Sequence, residues 1–266
     1  MKLSKKQINQ YKSLGILKVR LSKNILLKKK KFIDDSIKFF KYFDKITHTK
    51  KLKSHNFQDY LIKLRKRDRN LISKYYKVSR RFASLKSLIA SEDLVKINKQ
   101  LMKTNLVSIC HFIAVRIDFY EEREKGYITK AHQDFPYIQG SLNGITFWMP
   151  YYSTSCAPDY IAGSHKSGLK IYKEFSINKN SGIKTLEMVK STRNEDFSSI
   201  SCKFNEMLIF STLLIHKTSN KKELKPRLSL QLRYDDISQR DMFNKNYPEG
   251  LYLGDTFKKN FKQYVR

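Results

Sequence analysis

The segment RLSLQLRY, Arg227–Tyr234, alternates along its whole length between polar side chains and apolar or aromatic ones. Side chains two positions apart on a β-strand point to the same face, so this alternation predicts a strand with two unlike faces. The polar face carries Arg227, Ser229, Gln231 and Arg233, and the other face carries Leu228, Leu230, Leu232 and Tyr234. We therefore expect this strand to separate a packed core from a polar cavity.

The rest of the chain divides into a helical part and a part rich in strands. Only one of nine glycines, Gly15, precedes residue 126, and all five prolines lie at or after Pro136. Apolar side chains in the first part recur at helical spacing, as in Phe57, Tyr60, Leu61 and Leu64. The later runs VSICHFIAVRIDFY, GITFWMPYY and MLIFSTLLIH are typical of strands. The pattern predicts an α+β fold, with helices packed on one face of a β-sandwich or jelly roll.

This division predicts a single structural domain with three parts. Residues 1–105 form a helical region packed on the core, residues 106–240 form the jelly-roll core, and residues 241–266 form a tail without a clear pattern. Residues 176–200 are polar and predict a long surface loop with a short insertion. In the helical part, the dense run Lys28–Lys31 predicts a solvated helix face.

The chain is strongly basic, with 54 Lys and Arg against 24 Asp and Glu, a net charge of +30. One interpretation is a polyanionic partner such as nucleic acid, a membrane surface or a phosphorylated substrate. The other is solubility together with the Lys- and Asn-rich usage of AT-rich genomes, since the lysines are spread along the chain. The charge alone leaves both interpretations open.

Composition also bounds the compartment and the class of protein. Hydrophobic residues make up 40% and aromatic residues 13%, which is typical of a globular protein. No apolar run approaches the roughly 18 residues of a membrane helix, and the N-terminal MKLSKKQINQYKS lacks the apolar segment of a secretory signal. We expect a cytoplasmic protein. Its three distant cysteines, Cys110, Cys156 and Cys202, form no zinc or disulfide pattern.

Three residues have the chemistry of a metal site. On a strand, His132 and Asp134 of HQDFPYIQGS would point to one face, where an imidazole and a carboxylate can bind one ion. The apolar run MLIFSTLLIH ends at His216, which would place a third donor at the rim of a cavity. Two histidines and one carboxylate hold Fe(II) on one face and leave about three positions open. His132, Asp134 and His216 are therefore the candidate metal ligands and catalytic residues.

Arg227 follows His216 by eleven positions and is the candidate site for a carboxylate. A guanidinium binds a carboxylate through two parallel hydrogen bonds, and Ser229 adds a hydroxyl on the same strand face. 2-Oxoglutarate carries such a carboxylate, while its keto-acid end chelates iron. Each residue taken singly is common in structural roles, but their combination in this order favours an iron and 2-oxoglutarate site.

The region from about residue 107 to 235 resembles the phytanoyl-CoA dioxygenase family of Fe(II)/2-oxoglutarate oxygenases. The resemblance is carried by RIDF, AHQDFPYIQGS, ITFWMPYY, IAGSHKSG, LLIHKTS and PRLSLQLRY. It implies a double-stranded β-helix core and iron ligands at His132, Asp134 and His216. It also implies that Arg227 and Ser229 bind 2-oxoglutarate. The implied reaction uses O2 and releases succinate and CO2 as a small-molecule substrate is hydroxylated or otherwise oxidised. The presence of Asp134 favours hydroxylation, since halogenating relatives lack this carboxylate.

One departure from the family concerns the loop before GSHK. The family's PGSH has Ala162 at the proline position here, in a loop that lies near the cavity in the family, so the substrate cannot be carried over. Nothing marks a CoA site. His165 of GSHK is interpreted as a loop residue or a residue behind the ligands, because His132, Asp134 and His216 complete the ligand triad without it. A sugar-, nucleotide- or carrier-linked metabolite is the expected substrate class.

Several further residues are candidates for the cavity wall. Thr146 is assigned to the co-substrate site, and Trp148 on the same strand face fits either the substrate wall or the core. Arg116 would line the pocket or form an ion pair with Asp118. The remaining substrate candidates are Tyr137 and Gln139, which follow the HxD motif.

Two alternatives from other functional classes remain open. A nucleic-acid dealkylating dioxygenase would use the same triad with two arginines six positions apart, a spacing that Arg227 and Arg233 match. Its basic surface would suit DNA or RNA, but GSHK and the short His216–Arg227 gap disfavour it. The second alternative is a non-catalytic basic binding module on the same fold. Iron and 2-oxoglutarate binding would separate it from both enzymes.

Overall fold

The structure is a computed structural model of the 266-residue chain. It describes residues 1–110, 112–119, 129–176, 184–189, 192–193, 196–219, 221, 223–248 and 255–265. The helices are α1 (Lys5–Leu14), α2 (Lys23–Thr47), α3 (Phe57–Arg67), α4 (Arg69–Val78), α5 (Ala83–Ile89), α6 (Glu92–Met102), α7 (Phe135–Ile138), α8 (Arg240–Asn244) and α9 (Asp255–Asn260). The strands are β1 (Ile16–Arg20), β2 (Val107–Ile109), β3 (Ala114–Asp118), β4 (Ile145–Pro150), β5 (Asp159–Tyr160), β6 (Tyr172–Ser176), β7 (Lys184–Met188), β8 (Glu206–Ser211), β9 (His216–Lys217) and β10 (Arg227–Asp236). No helix in these ranges combines the length and apolarity needed to cross a membrane.

The strands form one large antiparallel sheet and two small ones. The large sheet has six strands in the order β1-β8-β4-β10-β2, with β3 also paired to β10. On one side β10 pairs with β4, and on the other it pairs with β3 near its start and with β2 near its end. The two small sheets are β5-β9 and β6-β7, each antiparallel. The mixture of helices with antiparallel sheets confirms the expected α+β class.

The two faces of β10 have the environments that its alternation predicts. Its apolar residues are buried in the main core together with side chains of the N-terminal helices, including Phe32, Phe40 and Leu61. The hydroxyl of Tyr234 donates to the backbone oxygen of Ile89 at 2.6 Å. The helical layer thus covers this face of the sheet, and the polar face of β10 is turned toward a cavity on the other side.

The N-terminal region is not purely helical, because β1 forms an edge of the large sheet beside β8. Gly15 ends α1 in the left-handed region at φ 74°, and its N–H donates to the backbone oxygen of Tyr11. The following ILKVR is too short for a periodic signal, yet Leu17 and Val19 are buried in the main core. The first hundred residues therefore contribute a strand as well as helices to the fold.

The run MLIFSTLLIH forms two strands rather than one. β8 ends at Ser211, and the chain turns before His216 begins β9, which pairs with β5 in a different sheet. The backbone N–H of Leu214 donates to the oxygen of Ser211 at 2.9 Å within this turn. Continuous apolar composition does not reveal such a turn, because every residue of this run is buried.

The polar segment 176–200 and the basic run Lys28–Lys31 differ from their predictions. β7 lies within residues 176–200 and pairs with β6, so this segment contains a strand. The tail, which has no clear sequence pattern, contains helical segments, and Phe261 is buried in a second apolar cluster with Phe135. In the basic run, Lys29 is fully buried, with its Nζ bonded to the backbone oxygen of Phe204. Only part of the run is a solvated face.

Candidate metal centre and its cavity

His132 and His216 are brought together by their backbones. The N–H of each residue donates to the backbone oxygen of the other at 2.9 Å, which forms an isolated antiparallel bridge. The two imidazole ring centres lie 4.3 Å apart. Residues far apart in sequence are thus fixed at one point by main-chain hydrogen bonds, which do not depend on the side chains themselves.

The outward nitrogen of each imidazole is already hydrogen bonded. Nδ1 of His132 donates to the backbone oxygen of Lys130 at 2.8 Å, and Nδ1 of His216 donates to that of Leu214 at 3.0 Å. Because Nδ1 carries the proton in this arrangement, Nε2 keeps its lone pair. Backbone acceptors of this kind orient the histidine ligands of metal sites.

Asp134 reaches the histidines from a turn rather than from a strand. Its backbone is helical, at φ −70° and ψ −29°, and it immediately precedes α7. Gln133 holds the motif from behind, since its Nε2 donates to the backbone oxygens of Gly168 and Leu213. The expectation that both ligands lie on one strand was wrong, but the turn still directs the Asp134 carboxylate toward the imidazoles.

The three side chains converge on a common point. Oδ1 of Asp134 lies 3.8 Å from Nε2 of His132 and 3.9 Å from Nε2 of His216. One donor atom from each of the three residues lies within 4.8 Å of the others. First-row metal ions bind such donors at roughly 2.0–2.2 Å, so a small contraction would let all three share one ion. Two imidazoles and one carboxylate suit Fe(II) with open positions.

Two buried residues fix the carboxylate of Asp134. Arg233 donates from Nη2 to Oδ1 at 3.0 Å and from Nε to Oδ2 at 3.2 Å. The hydroxyl of Thr146 donates to Oδ2 at 2.7 Å. Thr146 was assigned to the co-substrate on sequence grounds, but in the structure its partner is Asp134. Its place on β4 puts the hydroxyl against the carboxylate of this candidate ligand, and Thr146 is not among the described wall residues of the cavity, so its assignment to the co-substrate stays a prediction.

Protonation of the three candidate ligands is set by their surroundings. Burial, and next the neighbouring His216, lower the pKa of His132 to about 3, against the pull of Asp134. Burial also lowers the pKa of His216. Burial, the largest single influence, would raise the pKa of Asp134, but the charge and hydrogen bond of Arg233 act together with the two neighbouring histidines and hold that pKa below its ordinary value. Neutral imidazoles and an ionised carboxylate are the forms that bind a metal.

A cavity of about 380 Å³ opens beside the triad. This volume lies within the range of small-molecule sites. Besides the triad, its wall includes five basic residues: Arg80, Arg116, Lys217, Arg227 and Arg233. Aromatic side chains complete much of the wall, namely Phe112, Tyr137, Trp148 and Phe210. The cavity is therefore polar, positively charged and partly aromatic.

Arg227 lies in this wall and makes three hydrogen bonds to described residues. Its Nε and Nη2 donate to Oδ2 of Asp118 at 3.1 and 2.6 Å, and its Nη1 donates to the backbone oxygen of Cys156. A guanidinium has five N–H donors, so two remain for a ligand. Ser229 Oγ is buried and has no hydrogen-bond partner within the described part of the chain. Both residues thus retain capacity for a carboxylate.

The remaining sequence candidates divide between the wall and the core. Arg116 lines the cavity and also pairs with Asp118 at 2.9 Å, so both of its proposed roles are present. Tyr137 lines the cavity, and its ring packs edge-on against His132. Trp148 lines the cavity and is almost fully buried. Gln139 is different: it ends α7 in a left-handed conformation at φ 50°, is fully buried, and is not among the described wall residues.

His165 of the GSHK segment packs against α1 rather than against the triad. Its Nε2 lies 3.2 Å from the backbone oxygen of Lys12. A Cβ placed on Gly15 would approach Nδ1 of His165 to 2.4 Å, so this glycine is required for the close contact. His165 therefore joins the loop to the N-terminal helix.

Sequence reasoning missed the contacts that Arg233, Phe112 and Arg80 make in the cavity wall. Arg233 was noted only for its spacing from Arg227, although the polar face of its strand already placed it toward the cavity. Phe112 contacts two guanidinium groups, with its ring centre 5.4 Å from Cζ of Arg80 and 5.1 Å from that of Arg233. No local pattern marks these contacts, since they join distant parts of the chain.

The fold is similar to that of other solved proteins, three of which follow. The first is apo ThoJ, described as a non-heme monooxygenase, with a TM-score of 0.57, 9% identity, and coverage of 86% of this chain and 76% of that chain. The second is the epimerase SnoN in complex with Fe3+, alpha ketoglutarate and nogalamycin RO, with a TM-score of 0.55, 12% identity, and coverage of 87% and 82%. The third is EctD from S. alaskensis with bound Fe, with a TM-score of 0.55, 12% identity, and coverage of 95% and 87%.

Sequence comparison adds no closer relative, since no family model and no curated protein matches the chain. Identities of this size show a common fold and leave the reaction open. ThoJ is described as a monooxygenase and SnoN as an epimerase, so this fold supports more than one outcome. The chain shares the fold of these three proteins and places two histidines and an aspartate together at its cavity.

Proposed function

We propose that the chain is an Fe(II)/2-oxoglutarate-dependent dioxygenase that hydroxylates or otherwise oxidises a small polar metabolite. The observation that carries this proposal is the convergence of two Nε2 atoms, each directed by a bonded Nδ1, on one oxygen of Asp134. The fold likeness to non-haem iron enzymes supports it. Overall, one substrate C–H, 2-oxoglutarate and O2 become a C–OH, succinate and CO2.

His132, Asp134 and His216 would hold Fe(II) in this proposal. Bound iron, together with 2-oxoglutarate and O2, supplies an oxidant able to take hydrogen from carbon. The chain's own part is to keep the imidazoles neutral, to orient the carboxylate through Thr146 and Arg233, and to enclose the substrate. A cavity with restricted access to water protects a reactive site from side reactions.

Arg227 and Ser229 would bind the distal carboxylate of 2-oxoglutarate. Two observations support this fit: two N–H donors of Arg227 are left over after its bonds to described residues, and the buried Ser229 Oγ lacks a partner there. An unsatisfied buried hydroxyl costs about 1–3 kcal/mol, and a bound carboxylate would remove that cost. The same strand face brings both groups to one side of β10.

We extend the proposal to family and architecture. Residues 106–240 would form a double-stranded β-helix of the phytanoyl-CoA dioxygenase type, within a single domain that includes 1–105 and 241–266. The motifs AHQDFPYIQGS, IAGSHKSG and PRLSLQLRY support this assignment. The expected substrate is a sugar-, nucleotide- or carrier-linked metabolite, because the cavity wall is polar and basic.

The test is an anaerobic titration of the metal-free protein with Fe(II) and then with 2-oxoglutarate, followed by visible absorption. We expect a weak charge-transfer band that requires both additions and is lost in His216→Ala. His55→Ala is the matched control, since His55 is exposed and outside the cavity wall, and it should keep the band. Absence of the band together with absence of tight iron binding would reject the oxygenase and favour a binding module.

A further inference from the structure

The cavity beside the triad contains more positive than negative charge. Its described wall has five basic side chains and a single carboxylate, that of Asp134. In the proposed function, the two carboxylates of 2-oxoglutarate would offset the charge of Fe(II), so the bound pair leaves the positive charge of the wall in place. An anionic substrate would reduce the part of this charge that the carboxylates of the protein do not balance.

Three of the arginines in the wall already have carboxylate partners. Arg233 is paired with Asp134 at 3.0 Å, and Arg116 and Arg227 both bind Asp118, at 2.9 and 2.6 Å. Lys217 places its Nζ over the ring of Phe197 at 4.1 Å. These side chains therefore already have partners within the protein and help to stabilise the cavity wall. We do not expect them to be the first groups to bind an additional anion.

Arg80 differs from the other arginines. It lies in the 3-10 turn Ser79–Arg81 of the helical region, is exposed to solvent, and still lines the cavity, which places it at the opening. It has neither a hydrogen bond nor an ion pair with any part of the chain that the structure describes, and its guanidinium rests on the ring of Phe112. Its five N–H donors are therefore available to a ligand.

Phe112 connects Arg80 to the metal centre. The guanidinium of Arg233 also contacts this ring, and its Nη1 donates to the backbone oxygen of Phe112 at 3.3 Å. An anion on Arg80 and the Asp134 carboxylate on Arg233 would thus be bound by two guanidinium groups that contact the same ring. This arrangement suits a substrate whose charged group is separated from the oxidised carbon by several bonds.

We propose that Arg80 binds an oxyanion of the substrate, a phosphate, sulfate or carboxylate group, at the opening of the cavity. This assignment rests on the proposed function, since it takes the space beside the triad as the substrate site. A planar guanidinium suits each of these groups, because it can present two parallel N–H donors to two oxygens. Packing on Phe112 restricts its orientation, which lowers the entropy lost on binding.

The test measures binding of small probes by calorimetry at low ionic strength. Phenyl phosphate, phenyl sulfate and phenylacetate represent the three anions, and benzyl alcohol is the neutral probe. The protein is loaded with Fe(II) and 2-oxoglutarate under anaerobic conditions, so that Arg227 is occupied. The variants are Arg80→Gln, Arg80→Lys and the matched control Arg81→Gln, which removes the same charge from an exposed neighbour outside the described cavity wall.

We expect at least one anionic probe to bind more tightly than benzyl alcohol, with a Kd that rises by about tenfold in Arg80→Gln. Arg81→Gln should change that Kd by less than about twofold, and Arg80→Lys should lie between them. The preferred probe identifies which oxyanion the site takes. Equal binding by wild type and Arg80→Gln, or equal binding of the neutral probe, overturns the assignment.

Two further measurements separate this inference from its alternatives. The first is the same calorimetric titration of the metal-free protein with the probes. It measures binding at Arg80 even if Fe(II) and 2-oxoglutarate do not bind, so a failure of the proposed function can be distinguished from a failure of the Arg80 assignment. A single-stranded oligonucleotide tests the nucleic-acid alternative. If it binds while no small probe does, and both glutamine variants weaken it equally, the basic surface serves a polymer and the small-molecule site is rejected.

Discussion

Arg233 and Asp134 form a buried ion pair at the centre of the candidate metal site. Nη2 of Arg233 lies 3.0 Å from Oδ1 of Asp134, the same oxygen that lies within 3.9 Å of Nε2 of both histidines. Both side chains are only 4% exposed. In the metal-free protein, Arg233 therefore supplies the positive charge that a metal ion would otherwise provide to this carboxylate.

Removing Arg233 should destabilise the metal-free protein. Arg233→Gln leaves the buried carboxylate uncompensated, which typically costs about 3–5 kcal/mol in free energy of unfolding. Binding of Fe(II), or of Zn(II) in its place, should increase the free energy of unfolding more in the variant than in the wild type, because the ion replaces the missing charge. Urea denaturation with and without metal measures both effects. An equal gain from metal in both proteins would contradict this role for Arg233.

Thr146 should affect metal binding more than stability. Thr146→Val keeps the shape of the side chain but removes the 2.7 Å hydrogen bond to Oδ2 of Asp134. Loss of a partner that orients a ligand usually weakens metal affinity by about 10–100-fold. Thr146→Ser keeps the hydroxyl and should retain most of the affinity. Equilibrium dialysis with Fe(II) compares the three proteins, and equal affinities would show that Arg233 alone holds the carboxylate.

The features that could be predicted from the sequence are those whose residues lie close together in the chain or share a recognisable chemistry. The two faces of RLSLQLRY depend only on local alternation, and they correctly place Leu230 in the core and Arg227 in the cavity wall. The combination of an HxD motif with a later histidine likewise identified three side chains that the structure brings together. The first pattern repeats within a few residues, and the second follows from the ability of histidine and aspartate to bind metal ions.

Other features depend on contacts that no local pattern records. Arg233 and Asp134 are 99 residues apart, and nothing in either segment specifies the partner of the other. Asp134 lies in a turn because α7 begins directly after it, and the alternation rule for strands cannot foresee that turn. The edge strand β1 was missed for a similar reason, since its pairing with β8 comes from the opposite end of the chain.

Lys29 provides a test of burial in the basic run. Burial lowers the pKa of Lys29 to about 7, whereas an unfolded chain keeps the ordinary value near 10.5. Between these values the unfolded chain binds more protons, so the free energy of unfolding should increase with pH in this window. From pH 7 to 9, wild type should gain on the order of 2 kcal/mol relative to Lys29→Met.

Urea denaturation at the two pH values measures this difference. Lys30→Met is the matched control, because Lys30 is exposed on the same helix and should keep a constant difference from wild type. A difference between wild type and Lys29→Met that stays constant with pH would show that Lys29 remains charged when the chain is folded.

Phe261 tests whether the tail belongs to the same structural unit as the core. It is 3% exposed and packs edge-on against Phe135 at 5.1 Å, directly beside the candidate ligand Asp134. Phe261→Ala should lower the free energy of unfolding by about 3–5 kcal/mol, as is usual for a buried aromatic ring. Phe243→Ala, in which a 66% exposed ring is removed, should change it by less than about 1 kcal/mol. Chemical denaturation with a single transition in both variants would support one domain.

Asp118 fixes the orientation of the Arg227 guanidinium in the cavity wall. Oδ2 of Asp118 accepts hydrogen bonds from Nε and Nη2 of Arg227, and Oδ1 accepts one from Arg116. These bonds occupy the side edge of the Arg227 guanidinium and fix its plane. With the bond from Nη1 to Cys156, they leave two N–H donors, so a carboxylate can bind without displacing Asp118. We infer that, in the proposed function, Asp118 would position Arg227 for the distal carboxylate of 2-oxoglutarate.

Asp118→Asn should therefore weaken 2-oxoglutarate binding. An amide keeps the shape of the side chain but loses the charge-assisted bonds, so Arg227 becomes less restricted, and we expect the Kd for 2-oxoglutarate to rise by about tenfold. Iron affinity should stay within about twofold, because the described contacts of Asp118 are with Arg116 and Arg227 and not with the three candidate ligands. Calorimetry with 2-oxoglutarate on the Fe(II)-loaded protein measures the first effect, and dialysis measures the second. Tighter binding of 2-oxoglutarate by Asp118→Asn would show instead that Asp118 competes with the co-substrate for Arg227 and must be displaced.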